Sequence, residues 1–491
     1  MATSSADWGF YGRRTELESL RDVLSRRRWF FLKISGRRRI GKTSLVQQAL
    51  QPSQRSNVLY IQIPDSDPAG VVSTARDFMQ MFGIHADLPT DLRSLATTLG
   101  VLIENGWIVA LDEFQYFNRK ALFEFTSQLQ SEVDRLSAIS ERVAGGLIAL
   151  GSLHTEMAAL LDERTAPLYN RVTDDLDLGH LDIASIVEIL EKHADPTPSR
   201  LLFLWNLFEG VPKFYRDCFE QGVIGSERRT VLRQMFFSSS SPLRTEADNW
   251  FLKELRGRYD LVLKYIATHP GCSNAELQNY ARSVEPASEA QVGGYLCVLD
   301  QRYKMIERLQ PIFSKSSAKS GRFYIRDNFL RSWLAALAVP VASVSFRPID
   351  TLVQIADERL AEAEGHGLER LVAALYEERS RKGIGDFALT QHIRGWWDRN
   401  DTEIDLVALN EDDRVLRLGS CKRSSERLVR DLSSFGGHVE RFLAAFPRFK
   451  EWTLEKVAIA PALSSSMRAE IVGAGYLAQD LGDLIDGLSS Q

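Results

Sequence analysis

The sequence predicts an α/β protein of several domains, and three features predict it. An apolar run at 29–35 ends in a glycine-framed loop that passes directly into a helical pattern. Two more apolar runs, 107–111 and 146–150, each end in acidic or small polar residues, as buried strands do when their carboxyl ends carry a site. Well downstream, strand-like stretches at 402–409 and 415–421 flank a polar turn and follow a long helical pattern. At 491 residues the chain is too long for one ordinary core, so two to four domains are expected.

Composition excludes little but directs the search. With 44% hydrophobic and 25% charged residues the chain has the balance of a soluble globular protein. Its 60 basic and 65 acidic residues leave a net charge of -5, so there is no global pull toward nucleic acid and any DNA-binding surface must be local. Cys218, Cys272, Cys297 and Cys421 are scattered without metal-ligand spacing, which points to a reducing compartment and away from structural zinc. The start has neither a basic nor an apolar leader region, and no apolar run approaches the ~20 residues that span a bilayer; a cytoplasmic protein with no membrane partner is expected. Ser238–Ser241 and Ser464–Ser466 read as loops.

The run Trp29 to Ser35 flows into Gly36-Arg37-Arg38-Arg39-Ile40-Gly41-Lys42-Thr43-Ser44, which is GxxxxGK[ST] between a strand and a helix. Gly36 and Gly41 permit the backbone to turn successive N–H groups toward a polyphosphate, and the helix N-terminus adds its positive end. Lys42 is expected to reach the β and γ phosphates and Thr43 to ligate Mg²⁺, with ATP the cofactor. The second acidic anchor such a loop needs lies in Trp107-Ile108-Val109-Ala110-Leu111-Asp112-Glu113. Asp112 would hold the metal's water shell and Glu113 orient or deprotonate the attacking water. Without the upstream loop these acids would read as ordinary loop residues or helix caps. Gly146 to Leu150 ends in Gly151-Ser152, where Ser152 is either a γ-phosphate sensor or part of a strand-terminating turn. Arg171, Pro212 and Lys213 lie farther on; the two basic residues either face the nucleotide or are simply solvated.

These motifs, in order, resemble a known family. Phe10-Tyr11-Gly12-Arg13 with Glu16-Leu17, the phosphate loop, Leu111-Asp112-Glu113-Phe114-Gln115, Gly151-Ser152, Pro167-Leu168-Tyr169 with Arg171, and Gly210-Val211-Pro212 are similar to those of the archaeal-type ATPases, relatives of the AAA+ and STAND NTPases. The resemblance implies a five-stranded P-loop core with a helical lid, Gly12 and Arg13 near the adenine side, and catalytic roles for Lys42, Glu113, Ser152 and Arg171. Asn170 stands where glycine is expected.

Residues 259–299 suit three helices, and 305–308 and 323–325 suit strands around a polar hairpin, which reads as a winged helix. Between Gln301 and Arg331 eight Lys or Arg residues face two acids, an excess that fits phosphate contacts by Lys315, Lys319 and Arg322; the alternative is a packing module. Residues 324–333 look like the segment that leads to the C-terminal domain of these ATPases.

Val339 to Pro348 has connector composition, and Thr351 to Arg379 gives one or two helices. Asp405 interrupts an apolar strand and Lys422 ends its hairpin partner, the placement a metal-dependent nuclease uses. This part resembles the PD-(D/E)XK nuclease (restriction-endonuclease-like) fold fused to archaeal-type ATPases. The resemblance matches Glu369, Asp405 and Lys422 as catalytic residues, with Glu369 and Asp405 as metal ligands. Ser420 occupies the position of the expected glutamate, and a hydroxyl is a poorer ligand for a hard dication. Either Glu403 or Glu426 supplies the missing acid, or cleavage is lost and the fold only binds DNA, with Asp405 and Lys422 reduced to an ion pair.

The expected organisation is therefore a P-loop ATPase with lid over 1–245, a winged helix over 246–345 and a nuclease-like domain over 350–491. Three functional classes follow: an ATP-dependent DNA-acting enzyme, a nucleotide-switched regulator that does not cut, and a protein-interaction or homo-oligomeric platform.

Overall fold

The computed structural model describes residues 7–51, 57–152, 154–247, 259–284, 291–315, 320–398 and 402–488. The chain forms two compact units: Gly12–His180 with Val211–Lys213, and Met1–Tyr11, Leu181–Gly210 and Phe214–Gln491. Packing thus groups the expected lid helices with the C-terminal body rather than with the phosphate loop.

The first unit opens with α1 (Arg14–Ser25), then β1 (Phe30–Gly36), α2 (Lys42–Leu50), β2 (Val58–Gln62), α3 (Pro68–Met81), α4 (Leu92–Glu104), β3 (Ile108–Asp112), α5 (Phe123–Ala138), β4 (Gly146–Leu150), α6 (His154–Leu161) and β5 (Asp174–Leu178). The strands form one sheet in the order β2-β3-β4-β1-β5, and all neighbours are parallel. β1, β3 and β4 are near-continuous apolar runs because helices must cover both faces of a parallel sheet. Val109, Leu111, Leu147 and Ala149 pack in one core with Val71, Met79, Leu95, Leu99, Leu129 and Val133 from α3, α4 and α5. β4 separates β1 from β3, so the ends of the glycine-loop strand, the acid-bearing strand and the Gly151-Ser152 strand emerge side by side. Asn170 has φ 58°; asparagine tolerates this left-handed conformation better than most residues, so the turn is kept where the resemblance expects glycine.

The second unit begins with α7 (Ile183–His193) and α8 (Pro198–Phe208), and α9 (Pro212–Glu220) leads back into it before α10 (Arg228–Leu232). Next come α11 (Tyr259–Thr268), β6 (Cys272–Ser273), α12 (Asn274–Val284), α13 (Val292–Cys297), β7 (Ile306–Leu309) and β8 (Arg322–Ile325). The three strands form a small antiparallel sheet ordered β6-β8-β7. α14 (Asn328–Ser332) and α15 (Ala338–Ala342) follow, so the expected connector is partly helical.

α16 runs unbroken over Ile349–Arg381, 33 residues, where one or two helices were expected. It precedes β9 (Arg394–Trp397), β10 (Glu403–Asn410), β11 (Val415–Cys421), α17 (Ser425–Ala445), β12 (Thr453–Ala460), α18 (Ser465–Gly473), β13 (Leu477–Asp480) and α19 (Leu481–Ile485). This sheet has the order β13-β12-β11-β10-β9. β9, β10 and β11 are antiparallel, while β11, β12 and β13 are parallel.

Polar contacts bolt α8, α14 and α16 together. Asn328 Nδ2 donates to Trp205 O at 3.0 Å and Ser332 Oγ to Asn206 O at 3.0 Å, while Arg370 reaches Asn328 Oδ1 at 3.2 Å and Glu209 Oε1 at 3.4 Å. Arg331, only 1% exposed, donates to Asn206; burial pushes its guanidinium down to about 9. On the other side of α16, buried Glu364 accepts from Arg228 of α10 and from Arg423, just past β11, at 2.8 Å. Arg370 and Arg423 directly follow Glu369 and Lys422 in sequence, so these anchors fix the backbone that carries both site residues.

Candidate functional sites

The phosphate loop has the backbone the sequence demands. Gly36 has φ 144° and Gly41 φ 95°, and a Cβ on Gly36 would meet Leu178 O at 2.6 Å. Any side chain there would collide with the end of β5. Ile40 is buried and Ser44 exposed. Lys42 Nζ donates to Gly36 O at 2.8 Å and Arg37 O at 3.1 Å, holding the ammonium inside the loop's curve. Arg38 adds positive charge that Lys42 feels, and Arg39 takes φ 65°. Pro212 lies 3.6 Å from the position of a Cβ on Gly41. Arg13, φ 60°, donates to Gly179 O and to Ile40 O, so it ties the segment after Gly12 to the loop through backbone carbonyls.

The acids converge on the same end of the sheet. Thr43 Oγ1 donates to Asp112 Oδ2 at 2.7 Å, and the Tyr60 hydroxyl on β2 donates to the same oxygen. Burial, with the Asp112 charge, raises the Tyr60 phenol well above its ordinary range, so it acts as a fixed donor. Glu113 sits at φ 57°, an uncommon conformation for a non-glycine residue. Its carboxylate accepts from Ser152 Oγ at 3.2 Å and from the Gln115 amide. Gln115 Oε1 in turn accepts the Ser152 N–H at 3.3 Å. Sequence reasoning did not single out Tyr60 or Gln115 as site residues.

The loop, its lysine, a threonine hydroxyl and one carboxylate suit a nucleotide–Mg²⁺ pair, since Mg²⁺ takes few protein ligands besides phosphate oxygens and water. Arg171 is not brought to this site. It precedes β5, whose first residue pairs with Leu32 near the start of β1, whereas the loop follows the end of β1. Its guanidinium is held in a bidentate pair by Asp134 at 2.7 and 2.9 Å.

Burial pushes the Lys42 ammonium from 10.5 down to about 8, against the pull of Asp112 and Glu113. Between those values the unfolded chain holds a proton that the folded chain has lost, so this lysine's destabilising effect, full below about 8, is relieved as pH rises toward 10.5. A bound polyphosphate favours the charged form. Nucleotide affinity should therefore fall roughly tenfold per pH unit above about 8 as binding comes to require proton uptake. Titrating a nucleotide analogue from neutral pH upward checks this, and Lys42→Arg, charged throughout, should flatten the profile.

In the C-terminal sheet Asp405 Oδ2 accepts from Cys421 N at 2.7 Å, Lys422 Nζ at 3.0 Å and Ser420 Oγ at 3.3 Å. Burial and then the Asp405 charge raise the Glu369 carboxyl well above the carboxylate range, so α16 and β10 do bring these two acids together. Burial opposes the Lys422 charge, but Asp405 and then Glu369 outweigh it and raise its pKa. Neither candidate replacement acid completes the set. Glu403 pairs with Arg322, and Glu426 accepts from Ser424 at 2.8 Å at the exposed start of α17. Among the described residues no three His, Cys, Asp or Glu side chains stand together as a metal-binding group. With Asp405 engaged by Lys422 and a hydroxyl at Ser420 in place of a third carboxylate, the residues present do not fit a divalent metal site.

The basic hairpin between β7 and β8 is not a free wing. Ile312 is 4% exposed within the C-terminal core, with Phe313 packed against it, and Ile312 N donates to Gly395 O at 3.0 Å. Trp397 Nε1 donates to Ser320 O at 2.9 Å, and Arg322 lies over the Trp397 ring at 4.6 Å. Arg322 is thus committed to Glu403 and Trp397 rather than presented to phosphate, Lys315 lies on the described part of the hairpin, and Lys319 falls outside the described residues. Ile312→Ala should lower the stability of this body by about 2–4 kcal/mol, the cost of a large-to-small change in a core, measured by urea denaturation; a hairpin free for DNA would lose almost nothing.

Among the described residues no helix is long and apolar enough to cross a membrane. No family model matches the chain. An uncharacterized protein of Methanocaldococcus jannaschii is 24% identical over 441 residues, 86% of this chain and 91% of that one. Among solved structures, the Walker-type ATPase of Pyrococcus abyssi is similar at a TM-score of 0.49 and 18% identity, over 68% of this chain and 98% of that one. The ORC2 protein of Aeropyrum pernix, solved in ADPNP and ADP complexes, is similar at a TM-score of 0.45 and 15% identity, over 73% of this chain and 97% of that one. At these scores the reading of the sites rests on their own geometry.

Proposed function

We propose that this chain binds and hydrolyses ATP with Mg²⁺ through the loop Gly36–Ser44, and that its second unit, read as a winged helix joined to a PD-(D/E)XK nuclease-like domain, faces DNA under nucleotide control. One observation carries the ATPase reading: Lys42, Thr43, Asp112, Glu113 and Ser152 converge at the carboxyl ends of three adjacent parallel strands. In this reading Lys42 neutralises phosphate charge, Thr43 and Asp112 hold the metal and its water shell, and Glu113, kept in place by Ser152 and Gln115, takes the proton of the attacking water. Mg²⁺ supplies charge stabilisation on the phosphates.

A specific observation favours a second, non-cutting form of this reading: Ser420 donates to Asp405 where a ligating carboxylate is expected. The protein is then a nucleotide-switched DNA binder. An ATPase assay with and without single-stranded, double-stranded and branched DNA tests the proposal. Turnover that one DNA form changes supports nucleotide–DNA coupling; absence of ATP hydrolysis under every condition removes the ATPase reading.

A further inference from the structure

We propose that Tyr60 is a positioning residue for the metal at the phosphate loop: its hydroxyl holds the Asp112 carboxylate, together with Thr43, in the orientation that receives Mg²⁺ with the nucleotide. The inference rests on the ATPase reading. It gives a role to a side chain that belongs neither to the glycine-framed loop nor to the acid-bearing strand.

The placement follows from strand register. β2 is the edge strand beside β3, and in their parallel pairing Tyr60 lies opposite Ala110 and Gln62 opposite Asp112. Side chains alternate along a strand, so Tyr60, Ala110 and Asp112 share one face while Leu59 and Ile61 turn into the core on the other. Only a long side chain can span the two-residue offset from Tyr60 to Asp112, and the small methyl of Ala110 leaves the phenol room to do so. The backbone fixes that span: Ile63 N donates to Asp112 O at 2.9 Å, so the join between β2 and β3 runs up to the acid itself.

The hydrogen bonds at Asp112 define the role. The residue is 6% exposed, and an ionised carboxylate offers about four acceptor positions. Oδ1 accepts from Glu113 N at 2.8 Å, and Oδ2 accepts from Thr43 Oγ1 at 2.7 Å and from the Tyr60 hydroxyl. Thr43 directs its proton to Asp112, which leaves its oxygen lone pairs for the metal. Tyr60 and Glu113 N then hold the carboxylate from two sides, so the acid and the threonine need not reorient when Mg²⁺ arrives. A phenylalanine would fill the same half-buried place on an edge strand; the hydroxyl adds only the bond to the acid. Partners of this kind, one step removed from a metal, typically carry 10–100-fold in metal affinity or activity.

The test uses the full chain, Tyr60→Phe, and a fluorescent ATP analogue titrated in Mg²⁺ and in EDTA, with phosphate release measured against Mg²⁺ concentration and thermal unfolding to verify that the variant is folded. Tyr60→Phe should bind the analogue as wild type does in EDTA, bind it roughly tenfold more weakly at limiting Mg²⁺, and need about 10–100-fold more Mg²⁺ for half-maximal turnover. Equal Mg²⁺ requirements in the two proteins overturn this inference and leave the ATPase reading intact. A lower requirement in the variant also overturns it, since the phenol then competes with the metal for Asp112. A loss of affinity that is the same in EDTA and in Mg²⁺ does so as well, because the tyrosine then only supports the fold. Wild-type protein that hydrolyses no ATP, and whose affinity for the analogue Mg²⁺ does not change, removes the ATPase reading and this inference with it.

Discussion

Lys42→Ala is expected to weaken ATP binding at least about 100-fold, the loss of ~3 kcal/mol that accompanies removal of a charge-assisted contact, whereas Glu113→Gln should bind ATP normally and hydrolyse it roughly 10²–10⁴-fold more slowly. The two outcomes differ because the two side chains do different work. Lys42 sits within the loop, bonded to Gly36 O and Arg37 O, carbonyls it would leave for the phosphates. The Glu113 carboxylate is instead held by Ser152 and Gln115, poised for a proton rather than for binding. An amide in place of that carboxylate could keep the Ser152 contact but could not accept the proton. Isothermal titration and steady-state phosphate release separate the two effects, and comparable hydrolysis by wild type and both variants would falsify the site assignment.

The arrangement around Glu113 shows what was legible in the sequence and what was not. The glycine-framed loop, Asp112, Glu113 and Ser152 all follow apolar strands, and once the strands are parallel their ends must gather at one edge of the sheet. That much is chain logic. Tyr60 was missed although alternation along β2 places it on the opposite side from Leu59 and Ile61, which are buried in the core; what the sequence cannot give is that β2 lies next to β3, which brings the hydroxyl to Asp112. Arg171 was misplaced for a reason the sequence did contain: a residue just before a parallel strand lies at the sheet's amino edge, a strand's length from the loop.

In the second unit the strand pattern, Asp405 and Lys422 were readable from the interruption of an apolar run by a carboxylate. The docking of the hairpin was not. Ile312 and Phe313 are two apolar residues in an otherwise polar, basic stretch, and only tertiary packing distinguishes a solvent-facing wing from one seated in a neighbouring core. Likewise, the boundary expected at 245 follows a change of helix and strand pattern, which cannot register Glu364, Asn206 and Arg331, polar residues whose burial is decided by long-range partners.

Ser420→Glu should strengthen metal dependence at the C-terminal site. Ser420 is 7% exposed and its hydroxyl is 3.3 Å from Asp405 Oδ2, so a carboxylate placed there adds negative charge beside Asp405 and within the field of Glu369. Without a cation this should destabilise the fold, because a further buried carboxylate would face two existing ones. With Mn²⁺ or Mg²⁺ the same charge becomes a ligand, so the variant's unfolding midpoint should rise on metal addition while wild type stays unchanged. Metal affinity should increase by roughly tenfold or more, given that a carboxylate replaces a neutral hydroxyl at a hard cation. Cleavage of linear or branched DNA, absent or poor in wild type, should appear in Ser420→Glu with either metal and vanish on the further change Asp405→Ala. Robust wild-type cleavage that depends on Asp405 would mean that another group already serves in place of the missing acid, and the non-cutting reading would fall.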